Sequence, residues 1–179
     1  AIPKVEALAA RHFKSVSNPH ERYCRAVLLM LEKIKESRKL YNYREGEITP
    51  DRLRQHARTV AMLERISAEQ PGDILVIPAQ FGLRHRGKST RRARATLRKN
   101  EFGLGALAVG SMALTHPERF VRWEQLPTDC PGDEFAPEAA GQFTSAPVFG
   151  FDDGGVRFLT DTVDSADDQY GAVSGFSPQ

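Results

Sequence analysis

Only two cysteines, Cys24 and Cys130, occur in the 179 residues, far apart and in no C-x-x-C or comparable ligand spacing. That excludes a disulfide framework and a cysteine-based zinc site. The five histidines, at positions 12, 20, 56, 85 and 116, share no metal-ligand spacing either. Long hydrophobic runs are also missing: the longest nearly uncharged one, residues 102–115, has 14 residues, short of the roughly 20 that cross a bilayer as a helix. Residues 1–13 carry Lys4, Glu6 and Arg11 and no long apolar core, so no leader segment is read there. A cytoplasmic, reducing compartment without a membrane partner is expected. Internal repeats are absent.

The most local scarcity is of negative charge. Residues 80–99 hold eight Lys/Arg and no Asp/Glu, whereas residues 124–179 hold one cation, Arg157, against eleven acids. The net charge of +2 conceals this polarity. With 40% apolar and 27% charged residues the composition is that of a chain able to bury a core, in a length suited to one domain.

Hydrophobic spacing predicts helices over the first seventy residues. Val5, Leu8, Ala9 and Phe13 form one helical face. Asn18, Pro19 and Glu21 then mark a capped start to a long helix ending near Lys39, with Tyr23, Val27, Leu28, Leu31 and Ile34 as its buried stripe. Thr49, Pro50 and Asp51 open a third, with Leu53, Ala57, Val60, Ala61 and Leu63 inward and Arg52, Arg54 and Arg58 outward. Ile74 to Pro78 reads as a short buried strand, and a helix is expected from near Ser89. Phe102 to Leu114 reads as a Gly-rich helix whose glycines imply close packing, and Thr115 to Trp123 as a short capped helix. Val148–Phe151 and Val156–Thr160 flank a glycine-containing turn and predict a hairpin, with Phe143, Phe149, Phe151, Phe158 and Phe176 as the core of a small sheet. The expected fold class is α+β: a helical N-terminal half, then further helices and a small antiparallel hairpin or sheet. One domain is expected, with subregions 1–70, 71–126 and 127–179.

The basic stretch carries two chemistries. Gly82, Gly87, Lys88 and Ser89 spell G-x-x-x-x-G-K-S, the pattern in which backbone amides wrap phosphates, the lysine meets them and the hydroxyl holds magnesium. Three residues nevertheless separate the preceding strand from Gly82, and the loop interior is bulky and cationic. The second chemistry is a polyanion face, with Lys88, Arg91, Arg92, Arg98 and Lys99 along one side of a helix and Ala93 and Leu97 inward. Arg91 and Arg92 would fall in its first turn, where the helix dipole disfavours cations and an anion would relieve them.

Other strings carry less. Gly103, Gly105 and Ala108 fit G-x-G-x-x-A, but after a basic helix instead of a strand, which favours tight packing. Gly132, Asp133, Glu134 and Phe135 are similar to the signature of diguanylate cyclases, yet Pro131 replaces its glycine and Ala136 and Pro137 follow where its strand should continue. Asp129, Asp133, Glu134, Asp152 and Asp153 could gather a metal, and are read instead as turn residues. His56 is read as a packing residue, and His85 beside Ser89 lacks an orienting acid.

The expected function is therefore non-enzymatic nucleic-acid binding, to DNA or RNA, through Arg84, Arg86, Lys88, Arg91, Arg92, Arg94, Arg98 and Lys99. The alternative is a protein-binding module or inhibitor acting through the acidic C-terminal region. Third is a P-loop-like nucleotide-binding protein using Gly82, Gly87, Lys88 and Ser89. No catalytic residue, metal or cofactor is assigned.

Overall fold

The computed structural model describes residues 1–177. Its five helices are α1 (Val5–His12), α2 (Pro19–Ser37), α3 (Ala57–Glu69), α4 (Thr90–Thr96) and α5 (Ala106–Thr115). α2 starts where its cap places it, the Asn18 side chain accepting from the backbone N–H groups of His20 and Glu21. It buries Tyr23, Cys24, Val27, Met30, Leu31 and Ile34. α5 is buried from Ala106 through Ala113, as befits a helix apolar all round. Gly110 lets α5 close on α2, since a Cβ there would stand 1.8 Å from the Met30 sulfur.

Among the described residues twelve strands form three sheets, a correction to the expected helical half with one small hairpin. They are β1 (Ile2–Pro3), β2 (Leu40–Asn42), β3 (Leu53–Gln55), β4 (Ile74–Leu75), β5 (Ala79–Gln80), β6 (Glu101–Gly103), β7 (Thr128–Asp129), β8 (Asp133–Phe135), β9 (Ser145–Asp152), β10 (Gly155–Thr162), β11 (Gly171–Ala172) and β12 (Ser174–Phe176). The largest sheet has seven strands: β11, β7, β9, β10 and β2 in order, with β8 pairing both β9 and β3. The second is β5-β12-β6 and the third β1-β4. The mixed α/β character escaped the sequence because ten of the strands are two or three residues long, too short to display an alternation of period two.

Two expected helices give way to other structure. Residues 53–55 pair antiparallel with β8, so α3 begins only at Ala57, capped by the His56 ring, which accepts from the Arg58 N–H. Past α5 no helix follows Pro117 among the described residues; Phe120 there adopts a left-handed φ of 54°, which interrupts helical winding. Phe102 and Gly103 belong to β6, leaving α5 shorter than the Gly-rich run. The β9–β10 hairpin turns on Asp153 and Gly154, whose φ values of 43° and 75° make a two-residue connection instead of four.

The core joins α2 and α5 to the large sheet through Phe149 and Phe158, ring centroids 5.0 Å apart, with Phe102, Phe120 and Phe135 also sealed from solvent. No helix among the described residues is long and apolar enough to cross a membrane.

Candidate polyanion-binding face

The basic segment leaves β5 through Gly82, whose φ of 95° starts a single 3-10 turn over Leu83–His85. Gly82 is wedged against β11, where a Cβ would approach the Gly171 oxygen to 2.7 Å. Gly87, at φ 74°, reverses the chain, and the Ser89 hydroxyl caps α4 by accepting from the Arg92 N–H at 3.2 Å. Loop amides bond to carbonyls of the same chain: His85 to Gly82 at 3.0 Å, Gly87 to Tyr170 at 3.0 Å, Lys88 to His85 at 3.2 Å. The four residues of the G-x-x-x-x-G-K-S string thus build a turn and a helix cap, with Lys88 folded inward.

Glu101, at the start of β6, organises the interior of this segment. It is fully buried and accepts from the Ser174 hydroxyl at 2.7 Å, the His85 Nε2 at 2.8 Å and the Arg84 Nε at 3.3 Å. Burial works to raise its pKa, but the bonds from Ser174, His85 and the Arg98 N–H outweigh that and hold the carboxyl below its usual range. On the far side of the imidazole, Lys88 Nζ lies 3.3 Å from His85 Nδ1. An ionised carboxylate only accepts and an ammonium only donates, so His85 lies between an acceptor at Nε2 and a donor at Nδ1. Glu101 is the orienting acid that the sequence left His85 without, and Lys88, not Ser89, is the group beside it.

The eight cations sort into two sets. Arg84 serves Glu101, and Lys88 serves His85 and the Thr96 hydroxyl. Arg86 Nε donates to the Asp168 carbonyl at 2.6 Å, and Arg91 grips the Asp164 carboxylate with two nitrogens, which raises the arginine pKa and lowers that of the acid. Arg94 donates to the carbonyls of Pro131 at 3.0 Å and Asp133 at 2.6 Å, and burial lowers its pKa. Arg92, Arg98 and Lys99 remain exposed, and no side-chain hydrogen bond or ion pair engages them among the described residues.

Two further arginines join this face that charge counting along the chain missed. Arg58, on α3, donates to the carbonyls of Arg98 and Glu101. Arg54 lies over the Phe143 ring at 3.8 Å and pairs with Glu134 at 2.8 Å. His56 registers their convergence: burial lowers its pKa first, then the charges of Arg94, Arg58 and Arg54, opposed by Glu134. The outward pattern Arg54, Arg58 was visible in the sequence, but not its meeting with α4.

The five carboxylates considered for a metal lie apart. Asp133 is buried in β8, where the Tyr23 hydroxyl donates to both its oxygens at 2.6 and 2.7 Å and the Ala106 N–H to Oδ2 at 2.6 Å. Burial still pushes it up to about 7. Asp129, in β7, is also pushed to about 7, by burial and then by repulsion from Asp161 and Asp167. Glu134 belongs to Arg54; Asp152 faces Arg157 at 3.9 Å, and Asp153 accepts from the Tyr41 hydroxyl at 2.7 Å. Among the described residues no three His, Cys, Asp or Glu side chains are placed to hold a metal ion. The turn reading of Asp129, Asp133, Glu134 and Asp152 is corrected: all four are strand residues, Asp152 the last of β9. Gly103 and Gly105 serve a backbone crossing, for a Cβ on Gly132 would stand 2.4 Å from the Gly105 nitrogen.

No protein-family model, no curated protein and no solved structure matches this chain.

Proposed function

We propose that the protein binds nucleic-acid phosphate, without reacting with it, through Arg92, Arg98 and Lys99. One observation carries the reading: of the eight cations in the segment, these three stay exposed with no side-chain partner among the described residues, Arg92 in the first turn of α4 and Arg98 and Lys99 just beyond its end. Arginine and lysine so placed gain affinity by releasing counterions from a phosphate backbone. Arg84, Lys88 and Arg94 act as scaffold, and Arg58 fixes the Arg98 backbone from α3. The acidic-region reading stands second: Glu134, Asp153 and Asp164 are paired with Arg54, Lys39 and Arg91, which leaves it Glu124, Glu138, Asp167 and Asp168, exposed and outside any ion pair among the described residues.

Fluorescence-anisotropy titrations of labelled duplex and single-stranded 20-mers over a salt series test this. With three phosphates neutralised, log K on duplex should fall against log salt with a slope of about −3. The variant R92E/R98E/K99E should lose binding while keeping its melting temperature. No binding at low salt, or undiminished binding by the reversed variant, overturns the proposal.

A further inference from the structure

Of the five phenylalanines read as the core of a small sheet, three keep that role and two do not. Phe149 and Phe158 are buried in the core, and Phe151 packs against it. Phe143, in the chain before β9, and Phe176, at the end of β12, are half-buried outside that cluster. Each has a guanidinium over its ring instead, Arg54 at 3.8 Å over Phe143 and Arg84 at 5.9 Å over Phe176.

Backbone bonds tie both rings to the ends of the cationic run. The Val163 N–H donates to the Thr144 carbonyl at 2.9 Å and the Arg91 N–H to the Val163 carbonyl at 2.9 Å, which fastens the Phe143 segment to the first turn of α4, where Arg92 lies. At the other end the Ser177 N–H donates to the Asn100 carbonyl at 2.9 Å, and Phe176 pairs with Glu101 across the β12–β6 ladder, beside the turn that carries Arg98 and Lys99. Arg58 joins the two ends from α3, two residues past β3, by donating to the carbonyls of Arg98 and Glu101. The acids on this side of the fold are engaged by arginines, Glu134 by Arg54, Asp164 by Arg91 and Glu101 by Arg84, and Asp161 lies instead by Asp129.

Arg54 is suited to stacking more than to charge attraction. Its Nε is committed to Glu134 at 2.8 Å, which holds the guanidinium plane and offsets its charge, while the side chain stays 45% exposed. A guanidinium plane backed by a phenyl ring offers a flat surface to a nucleobase, and such stacking tolerates any sequence. In a duplex the base faces are already covered by their neighbours, so a phosphate run and free base faces come together in an unpaired strand. We propose that the polyanion is single-stranded nucleic acid, one base stacking on the Arg54–Phe143 pair and another on Phe176, with the intervening phosphates on Arg92, Arg98 and Lys99. The inference rests on the phosphate-binding reading and adds to it the state of the strand.

Anisotropy titrations of the full chain with three labelled probes of equal length test it: an oligothymidylate, the same sugar-phosphate strand without bases, and a duplex. Oligothymidylate should bind at least about tenfold tighter than the abasic strand, as one or two stacked bases allow, and tighter than the duplex at the same salt. Phe143→Leu should weaken oligothymidylate binding about tenfold with the slope of log K against log salt unchanged, because no charge is lost. If Phe143→Leu does not fold, the ratio of oligothymidylate to abasic affinity in the unaltered protein still decides. Equal affinity for the two single strands, tighter binding of the duplex, or undiminished binding by a folded Phe143→Leu overturns the proposal. In each of those cases loss of binding by R92E/R98E/K99E would still uphold the phosphate contacts, whereas no binding of any probe at low salt overturns both.

Discussion

Asp133 accepts the first backbone N–H of α5, its Oδ2 lying 2.6 Å from the Ala106 nitrogen, and so supplies the cap that Gly105 at the N-cap position cannot. A side chain on residue 105 would collide with the carboxylate at 2.3 Å, so the glycine and the distant acid are two halves of one device. Asp133→Ala should destabilise the fold by about 2–5 kcal/mol, since it leaves the Tyr23 hydroxyl and the Ala106 N–H buried without acceptors. Tyr23→Phe removes only one donor and should cost about 1–3 kcal/mol. Urea unfolding of the two variants checks the order; an Asp133→Ala loss smaller than that of Tyr23→Phe would contradict this account.

Stability should decline as the solution becomes neutral. Asp133 and Asp129 both have pKa values pushed up to about 7 in the fold, from roughly 4 in an unfolded chain. Between those values the folded state holds more protons than the unfolded one, so unfolding free energy falls as pH rises from about 4 to 7 and then levels off. Glu101 acts in the opposite sense: its lowered pKa contributes stability above the ordinary carboxylate range that is lost as pH falls further. Melting temperature should therefore peak at mildly acidic pH and drop by several degrees toward pH 8. Asp133→Asn should flatten the decline, and a profile rising from pH 5 to 8 would be the contrary result.

What could be read from the sequence is what has a local cause. The start of α2 follows from Asn18 and Pro19, the start of α4 from Ser89, and the β9–β10 hairpin from Asp153 and Gly154, each signal lying within a few residues of its element. β3 has no such signal. Leu53 and Arg54 look like helix residues after Thr49-Pro50-Asp51, and they become a strand because Phe135 and Glu134, about eighty residues on, pair with them. The candidate face divides the same way. Its charge density was legible, but the loss of Arg94 to the carbonyls of Pro131 and Asp133 was not, since backbone acceptors leave no trace in composition. Glu101 lies two positions beyond the acid-free run, at the head of an apolar stretch. A lone carboxylate there was the available sign that the run's histidine and arginine had a buried partner.

The contact of Gly110 with Met30 gives a coupled pair. Gly110→Ala gains helix propensity of roughly 1 kcal/mol but drives a methyl into the Met30 thioether, and such overpacking costs about 1–3 kcal/mol. Met30→Ala alone opens a cavity at a cost of about 2–5 kcal/mol. The double variant should be more stable than the sum of the two losses implies, because the alanine methyl enters space that the sulfur has left. A thermal-melt mutant cycle measures the coupling, and strict additivity would show that α2 and α5 adjust independently at this crossing.

Asp164 separates the role of the fold from that of the face. Its carboxylate holds Arg91 on the exposed surface, and the neighbouring Val163 carbonyl accepts the Arg91 N–H at 2.9 Å, so the first turn of α4 has its anion from the chain itself. An exposed pair of this kind contributes little to stability, and the backbone bond survives loss of the side-chain charge. Asp164→Asn should leave the melting temperature unchanged and release Arg91 beside Arg92. If the face binds phosphate as proposed, affinity for duplex should rise and the slope of log K against log salt should steepen by about 0.9, one further phosphate. An unchanged slope with intact binding would mean that nucleic acid passes along Arg98 and Lys99 without reaching the start of α4.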